Sequence, residues 1–227
     1  FAHTLTTVFV PAWKYFDSHP EYYALGVRTG VRSPDQLCLT NPDVLNIVID
    51  EVRQTLIANP RAQIVSLTQH DNQNYCVCDN CKALDDYEGS HSGTMVHFVN
   101  AVADALKDEF PDVAFDTFAY QYTRKPPKHA VPRSNVIIRL CSIECCFAHN
   151  LNDPLCGANA DFIKDLVGWK KICNRIYIWD YTTNYRNFLG PFNNFGVIHN
   201  NMRFFAENNV KGIYEEGNYM AADSDAE

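Results

Sequence analysis

The feature that most constrains this chain is the recurrence of short apolar, β-rich runs separated by segments of helical periodicity. Six such runs occur: "TLTTVFV" (4–10), "QIVSLT" (63–68), "VAFDTFAYQY" (113–122), "NVIIRLCSI" (135–143), "RIYIW" (175–179) and "VKGIY" (210–214). Runs this short and this continuously apolar read as strands buried on both faces. Helical stripes lie between most of them. Asn41 caps a helix with Pro42 at its first position, and Val44, Leu45, Val48, Val52 and Leu56 hold helical spacing until Asn59-Pro60. Met95, Phe98, Val99, Val102 and Leu106 make a second stripe, Phe162, Ile163, Leu166 and Val167 a third, and Ile198, Met202 and Phe205 a fourth. Strand alternating with helix predicts an α/β fold with a parallel sheet. One connection departs from the pattern: "TRKPPKHAVPRS" leaves no room for a regular helix and is just long enough for a parallel crossover.

Two architectures suit this alternation, an open doubly wound sheet and a (β/α)8 barrel. The polar residues separate them. Nearly every predicted strand ends in a polar cluster: His70-Asp71-Asn72, Tyr120 and Tyr122, Ser142 and Glu144, Asp180-Tyr181, and Glu215-Glu216-Gly217-Asn218. Barrel enzymes build their sites at the carboxyl ends of all their strands, whereas an open sheet concentrates such groups at one switch point. The expected fold is therefore an incomplete (β/α)8 TIM barrel. It holds about six strands, the third to the eighth, with the first units upstream of Phe1. Residues 1–227 read as part of one domain, long enough for a sizeable core. An opening at Phe1 without Met and a stop at "DSDAE" suggest that both ends are cut from something longer.

Net charge and composition exclude several partners. The chain carries −8, and its one cationic cluster, "TRKPPKHAVPR", stands alone. Such a surface repels phosphates, so no nucleic acid is expected. No glycine-rich phosphate loop follows a strand, and no segment approaches the roughly 18 apolar residues of a membrane span. Aromatic residues make up 13% of the chain, which agrees with a carbohydrate partner because sugar rings stack on aromatic faces.

The cysteines are the second constraint. Cys76, Cys78 and Cys81 form C-x-C-x2-C, three soft ligands within six residues, and zinc wants a fourth. The nearest upstream cysteine is Cys38, expected on a loop at the same end of a neighbouring strand. The four read as a closed structural zinc site, with disulfides or free buried thiols as the alternative. Cys141, Cys145, Cys146, Cys156 and Cys173 form an odd-numbered second group whose pairing the sequence leaves open. This cysteine usage is compatible with an exported protein.

The order "C-x2-N-P, helix, strand, carboxylate, C-x-C-x2-C" resembles retaining β-galactosidases of the barrel type that carry a four-cysteine zinc. In that family the acid/base carboxylate ends the fourth barrel strand, and Asp71 holds the matching place. The family has an Asn-Glu pair there, whereas this chain has Asp71-Asn72 and a shorter gap to Cys76. Over most of its length, with "YFDSHPEYYAL", "YCVCDNC", "RLCSIECCF" and "YIWDYTTNY", the chain resembles a bacterial domain family of unknown function. That family is grouped with barrel glycoside hydrolases and occurs mainly in exported proteins. The resemblance implies a glycoside hydrolase class without a substrate.

Glycosidases generally need two carboxylates. The candidates are Asp71, Glu144, Asp180, Glu215 and Glu216. Asp71 is expected as general acid or acid/base and Asp180 as nucleophile or water-activating base, with Glu144 and Glu215 in reserve. Asp180 lies between Trp179 and Tyr181, and Glu144 among Cys141, Cys145 and Cys146, an expected crowded setting. His70, Asn72, Tyr120, Tyr122, Arg139, Trp179, Tyr181 and Asn218 are expected substrate contacts, and His3 and His149 could orient hydroxyls. By alternation Tyr120 and Tyr122 should share a strand face, and Arg139 inside a buried strand needs a partner. Two rival classes remain at this point. One is a noncatalytic carbohydrate-binding barrel, and the other a cysteine hydrolase or redox enzyme using Cys141, Cys145 or Cys146.

Overall fold

The computed structural model describes residues 2–188 and 190–217. The chain divides into two compact units, Phe1–Ile138 and Arg139–Glu227. In the first, a four-residue helix α1 (Ala12–Tyr15) precedes an antiparallel hairpin of β1 (Tyr23–Leu25) and β2 (Arg32–Leu37). Then follow α2 (Pro42–Ala58), β3 (Ile64–Ser66), α3 (Asp79–Glu88), α4 (His91–Leu106), β4 (Ala114–Ala119) and the start of β5 (Val136–Cys141). The second unit continues with α5 (Gly157–Ile172), β6 (Ile176–Tyr181), α6 (Ile198–Glu207) and β7 (Gly212–Glu216).

The larger sheet has five strands in the order β3-β4-β5-β6-β7, with β3/β4 and β6/β7 pairing parallel. This overturns the expected (β/α)8 barrel. Among the described residues the sheet ends at β3 and β7, and a barrel interior filled by side chains takes about eight strands to close. Strand order follows chain order without reversal, so the topology has no doubly wound switch point either.

Two local causes account for the shortfall. The run 4–10 is no strand: Leu5–Phe9 forms a single π-helical turn. Its start is held by tertiary bonds instead, Thr4 Oγ1 donating to Ser66 O at 2.6 Å and the Leu5 backbone N to Thr68 O at 3.2 Å. Context thus overrides β propensity. The hairpin then occupies the chain before α2 with antiparallel strands, one interrupted by Pro34, a residue confined to sheet edges.

The helices obey their sequence signals. Asn41 caps α2, its Oδ1 accepting from Asp43 N at 2.9 Å and Val44 N at 3.4 Å. Val44, Val48, Val52 and Leu56 of α2 and Met95, Val99, Val102 and Leu106 of α4 are buried, as are Phe115 of β4 and Leu67 just after β3. In the second unit Phe162, Leu166 and Trp169 of α5, Ile176 and Ile178 of β6 and Phe205 of α6 are buried.

The helix-free crossover is real, and polar side chains of α3 and α4 hold it. Buried Glu88 accepts the amides of His129 at 2.8 Å and Ala130 at 3.0 Å. Asn100 donates to Val131 O and accepts from Arg133 N, both at 2.9 Å. These bonds satisfy a backbone that no secondary structure satisfies.

Candidate functional site

The C-x-C-x2-C loop folds as one pinned ligand loop. Cys76 bridges antiparallel to Gly26, and Val77 N donates to Leu25 O at 2.9 Å, so the loop lies on the hairpin edge. Cys78 precedes α3, and Cys81 lies in its first turn. Cys38 immediately follows β2, so it reaches the cluster from an antiparallel hairpin rather than from a βα unit. Sγ of Cys38 lies 3.6 Å from Sγ of Cys78 and 3.9 Å from Sγ of Cys81. All four sulfurs fall within 4.8 Å of one another, three of the residues being buried. These separations are too long for an S–S bond of about 2.05 Å. They match four thiolates about 2.3 Å from one tetrahedral ion, whose sulfurs would stand roughly 3.8 Å apart.

The surroundings fit a metal as well. Contacts from Cys76 and then Cys81 hold the Cys38 thiol far below its ordinary range, while its bond to Cys38 pushes Cys76 up to about 11. Cys38 is thus the thiol that ionises most readily, and a thiolate is the form that ligates a metal. Leu25 N–H points at Cys76 Sγ at 3.4 Å, Thr40 Oγ1 lies 3.2 Å from Cys81 Sγ, and Arg32 Nη1 lies 3.8 Å from Cys76 Sγ. The four cysteines could hold a metal ion.

Upstream of the thiols, the loop is fixed by a residue that sequence reasoning missed. Buried Gln36 of β2 donates to His70 O at 2.8 Å and to Asn72 Oδ1 at 3.1 Å, and accepts from His70 N at 3.0 Å. Asp71 is exposed and accepts from Tyr120 Oη at 2.7 Å and from Gln121 Nε2 at 2.9 Å. Gln121 has φ of 51°, a left-handed conformation that is costly for a side chain other than glycine. His3, also left-handed at 56°, stacks on His70 at 5.6 Å between ring centroids. His70, Asp71, Asn72 and Tyr120 therefore come together. Tyr122 does not join them, because alternation stops at Ala119 where a 3-10 turn (Gln121–Thr123) begins. Tyr122 instead packs by Tyr75 at 5.4 Å and lines a cavity with Cys76, Cys81 and His91.

A second carboxylate site lies in the second unit. Asp180 of β6 and Glu215 of β7 are register partners on parallel strands, so their side chains share a face. Asp180 is buried, and Ser142 Oγ donates to its Oδ1. Burial pushes the Asp180 carboxyl upward. Burial and then the neighbouring Asp180 charge lift Glu215 to about 7, and both its carboxyl oxygens are buried with no hydrogen-bond partner among the described residues. Trp179 and Tyr181 do not flank Asp180 in space, since strand neighbours face opposite ways. Their face carries Arg139, 5.7 Å over the Trp179 ring, Tyr214, 4.4 Å from it, and Glu216, accepting from Trp179 Nε1 at 2.7 Å. Glu144 is exposed rather than crowded, because β5 ends three residues earlier, at Cys141. Asn218 lies outside the described residues.

A further carboxylate went unread in the sequence. Asp116, fully buried in the middle of β4, accepts from Ser66 Oγ of β3, its register partner. The serine–aspartate pairing between adjacent strands repeats at Ser142 and Asp180. Its one sequence signal is an acid inside the apolar run "VAFDTFAYQY".

Fold and site together define an α/β protein with a five-stranded parallel sheet and a buried four-cysteine centre. The chain belongs to the family described as Domain of unknown function (DUF4838), whose model matches residues 1–227. No curated protein matches it by sequence. No helix among the described residues is long and apolar enough to cross a membrane.

Proposed function

We propose that this chain is part of an exported glycoside hydrolase whose acid/base chemistry is carried by Asp180 and Glu215. The observation behind this reading is the in-register carboxylate pair in which burial and the Asp180 charge lift Glu215 to about 7. Two carboxyls whose environments separate their proton affinities are the basis of an acid/base assignment. Glu215, lifted to about 7, keeps a proton near neutral pH to give to a leaving oxygen, and Asp180, which accepts a hydrogen bond from Ser142, is its partner. Neighbouring strands stand about 4.8 Å apart, nearer to the roughly 5 Å carboxyl separation of retaining enzymes than to the roughly 6.5–9.5 Å of inverting ones. On this reading His70, Asp71 and Asn72, at their own strand end, hydrogen-bond sugar hydroxyls. The four cysteines hold zinc, the usual ion for four thiolates, and Arg32 offsets the excess negative charge of that centre.

The test is a hydrolysis screen with aryl glycosides and with plant and host glycans. On a substrate so found, Asp180→Asn and Glu215→Gln should each lower kcat by orders of magnitude with fold and zinc content kept. Full activity in both variants would refute the assignment. The Arg139–Trp179–Tyr214 face favours a second reading, a noncatalytic carbohydrate-binding protein. Sugar binding measured by calorimetry without turnover, lost on Trp179→Ala, would favour it.

A further inference from the structure

The loop joining β5 to α5 carries a second grouping of soft ligands: Cys146, His149 and Cys156, spaced C-x2-H-x6-C. Cys146 Sγ lies 3.2 Å from His149 Nδ1, and one ligand atom from each of the three residues falls within 4.8 Å of the others. Ligand atoms about 2.0–2.3 Å from a common zinc stand roughly 3.5–3.8 Å apart, so the three need only small side-chain rotations to share one ion.

The loop is built to keep them there. Asn159, fully buried in the first turn of α5, accepts from Cys146 N at 2.8 Å. Its amide donates to Cys146 O at 3.1 Å, His149 O at 3.3 Å and Asn150 O at 3.0 Å. One side chain thus fixes the backbone at two of the three ligands. The third, Cys156, caps α5 directly, Ala160 N donating to its carbonyl at 2.9 Å. From α6, Asn201 Oδ1 accepts from buried Leu151 N at 2.9 Å and ties down the rest of the loop. A disulfide between Cys146 and Cys156 would give the imidazole nothing to do, whereas His149 completes a nitrogen–sulfur donor set.

We propose that Cys146, His149 and Cys156 form a second zinc site, with three protein ligands and an open fourth position. Two thiolates and an imidazole select zinc over the hard ions calcium and magnesium. The four-cysteine centre is closed by sulfur on every side. Here His149 is exposed and the two cysteines are half-buried, so the fourth position faces solvent and takes water or an exogenous anion. Three protein ligands plus an exchangeable one is the coordination of zinc sites that act on a ligand rather than only hold a fold.

The test is metal counting on the full chain, reduced, loaded with zinc and desalted. The parent should hold one zinc per chain more than Cys146→Ser, Cys156→Ser or His149→Ala. Cys78→Ser should keep the zinc of this loop. In cobalt-loaded Cys78→Ser a thiolate-to-cobalt absorption band should persist, and adding Cys146→Ser should abolish it. Released to a chromophoric chelator, the parent's zinc should leave in a fast and a slow phase, the fast one missing from His149→Ala. That residue is exposed, so this variant carries the test even if a cysteine variant misfolds. Zinc content equal to the parent's in all three variants would overturn the proposal. So would a Cys146–Cys156 disulfide that re-forms after reduction and excludes zinc.

Discussion

Replacing Glu215 with glutamine keeps the shape of the side chain and removes its titration. Burial and the neighbouring Asp180 lift this carboxyl from an ordinary 4.5 to about 7. A carboxyl whose folded-state pKa is raised binds its proton more tightly folded than unfolded. Its contribution to stability is therefore complete below the unfolded value and is lost as pH rises through the folded one. The window runs from about pH 4.5 to about pH 7. At about 1.36 kcal/mol per pH unit the loss is bounded at about 3.4 kcal/mol. Glu215 as a residue is only part-buried, so screening by water reduces this to about 1–2 kcal/mol. Asp180, also raised by burial, adds a loss of the same sign. Urea unfolding followed by tryptophan fluorescence, at about pH 5 and about pH 8, measures it. The parent should be less stable at the higher pH, and in Glu215→Gln the pH-dependent loss should shrink by about 1–2 kcal/mol. Groups remote from Glu215 titrate alike in both proteins and cancel in the comparison, whereas the adjacent Asp180 is relieved of the Glu215 charge and adds to the difference. If the variant loses as much stability as the parent, Glu215 does not hold its proton near neutrality and the acid/base reading loses its physical basis.

Two further outcomes follow from the first unit. Cys78→Ser should release the ion of the four-cysteine centre and cost several kcal/mol, with a chelator destabilising the parent by more than the variant; a chelator effect of equal size in both would remove the metal from that centre. Gly93→Ala should cost about 2–3 kcal/mol, because a Cβ there would overlap Glu88 Cγ. Glu88 cannot give way, since it is held by His129 N, Ala130 N and, at 2.8 Å, His97 Nε2. A melting temperature unchanged by this substitution would show that the crossover is not anchored there.

The sequence by itself determined the elements whose signals are local. The Asn41-Pro42 start of α2, the stripes of α4, α5 and α6, five of six strands and the helix-free crossover are written in caps, periodicity and proline. So is the C-x-C-x2-C ligand loop, because ligands two or three residues apart have little choice but to meet. Tertiary structure decided whatever depends on partners distant in the chain. The run 4–10 has strand propensity, yet Ser66 and Thr68 capture its hydroxyl and amide in a π-helical turn. Gln36 reads as an ordinary polar residue until the hairpin brings it to His70 and Asn72, 34 and 36 residues on. The pairing of Asp180 with Glu215 rests on register between β6 and β7, and a one-residue slip would turn one carboxyl to the opposite face. Closure of the sheet is likewise no property of any one strand. Each strand's sequence is equally compatible with a barrel or an open sheet, and only the number of strands that pair and the order of their pairing separates the two.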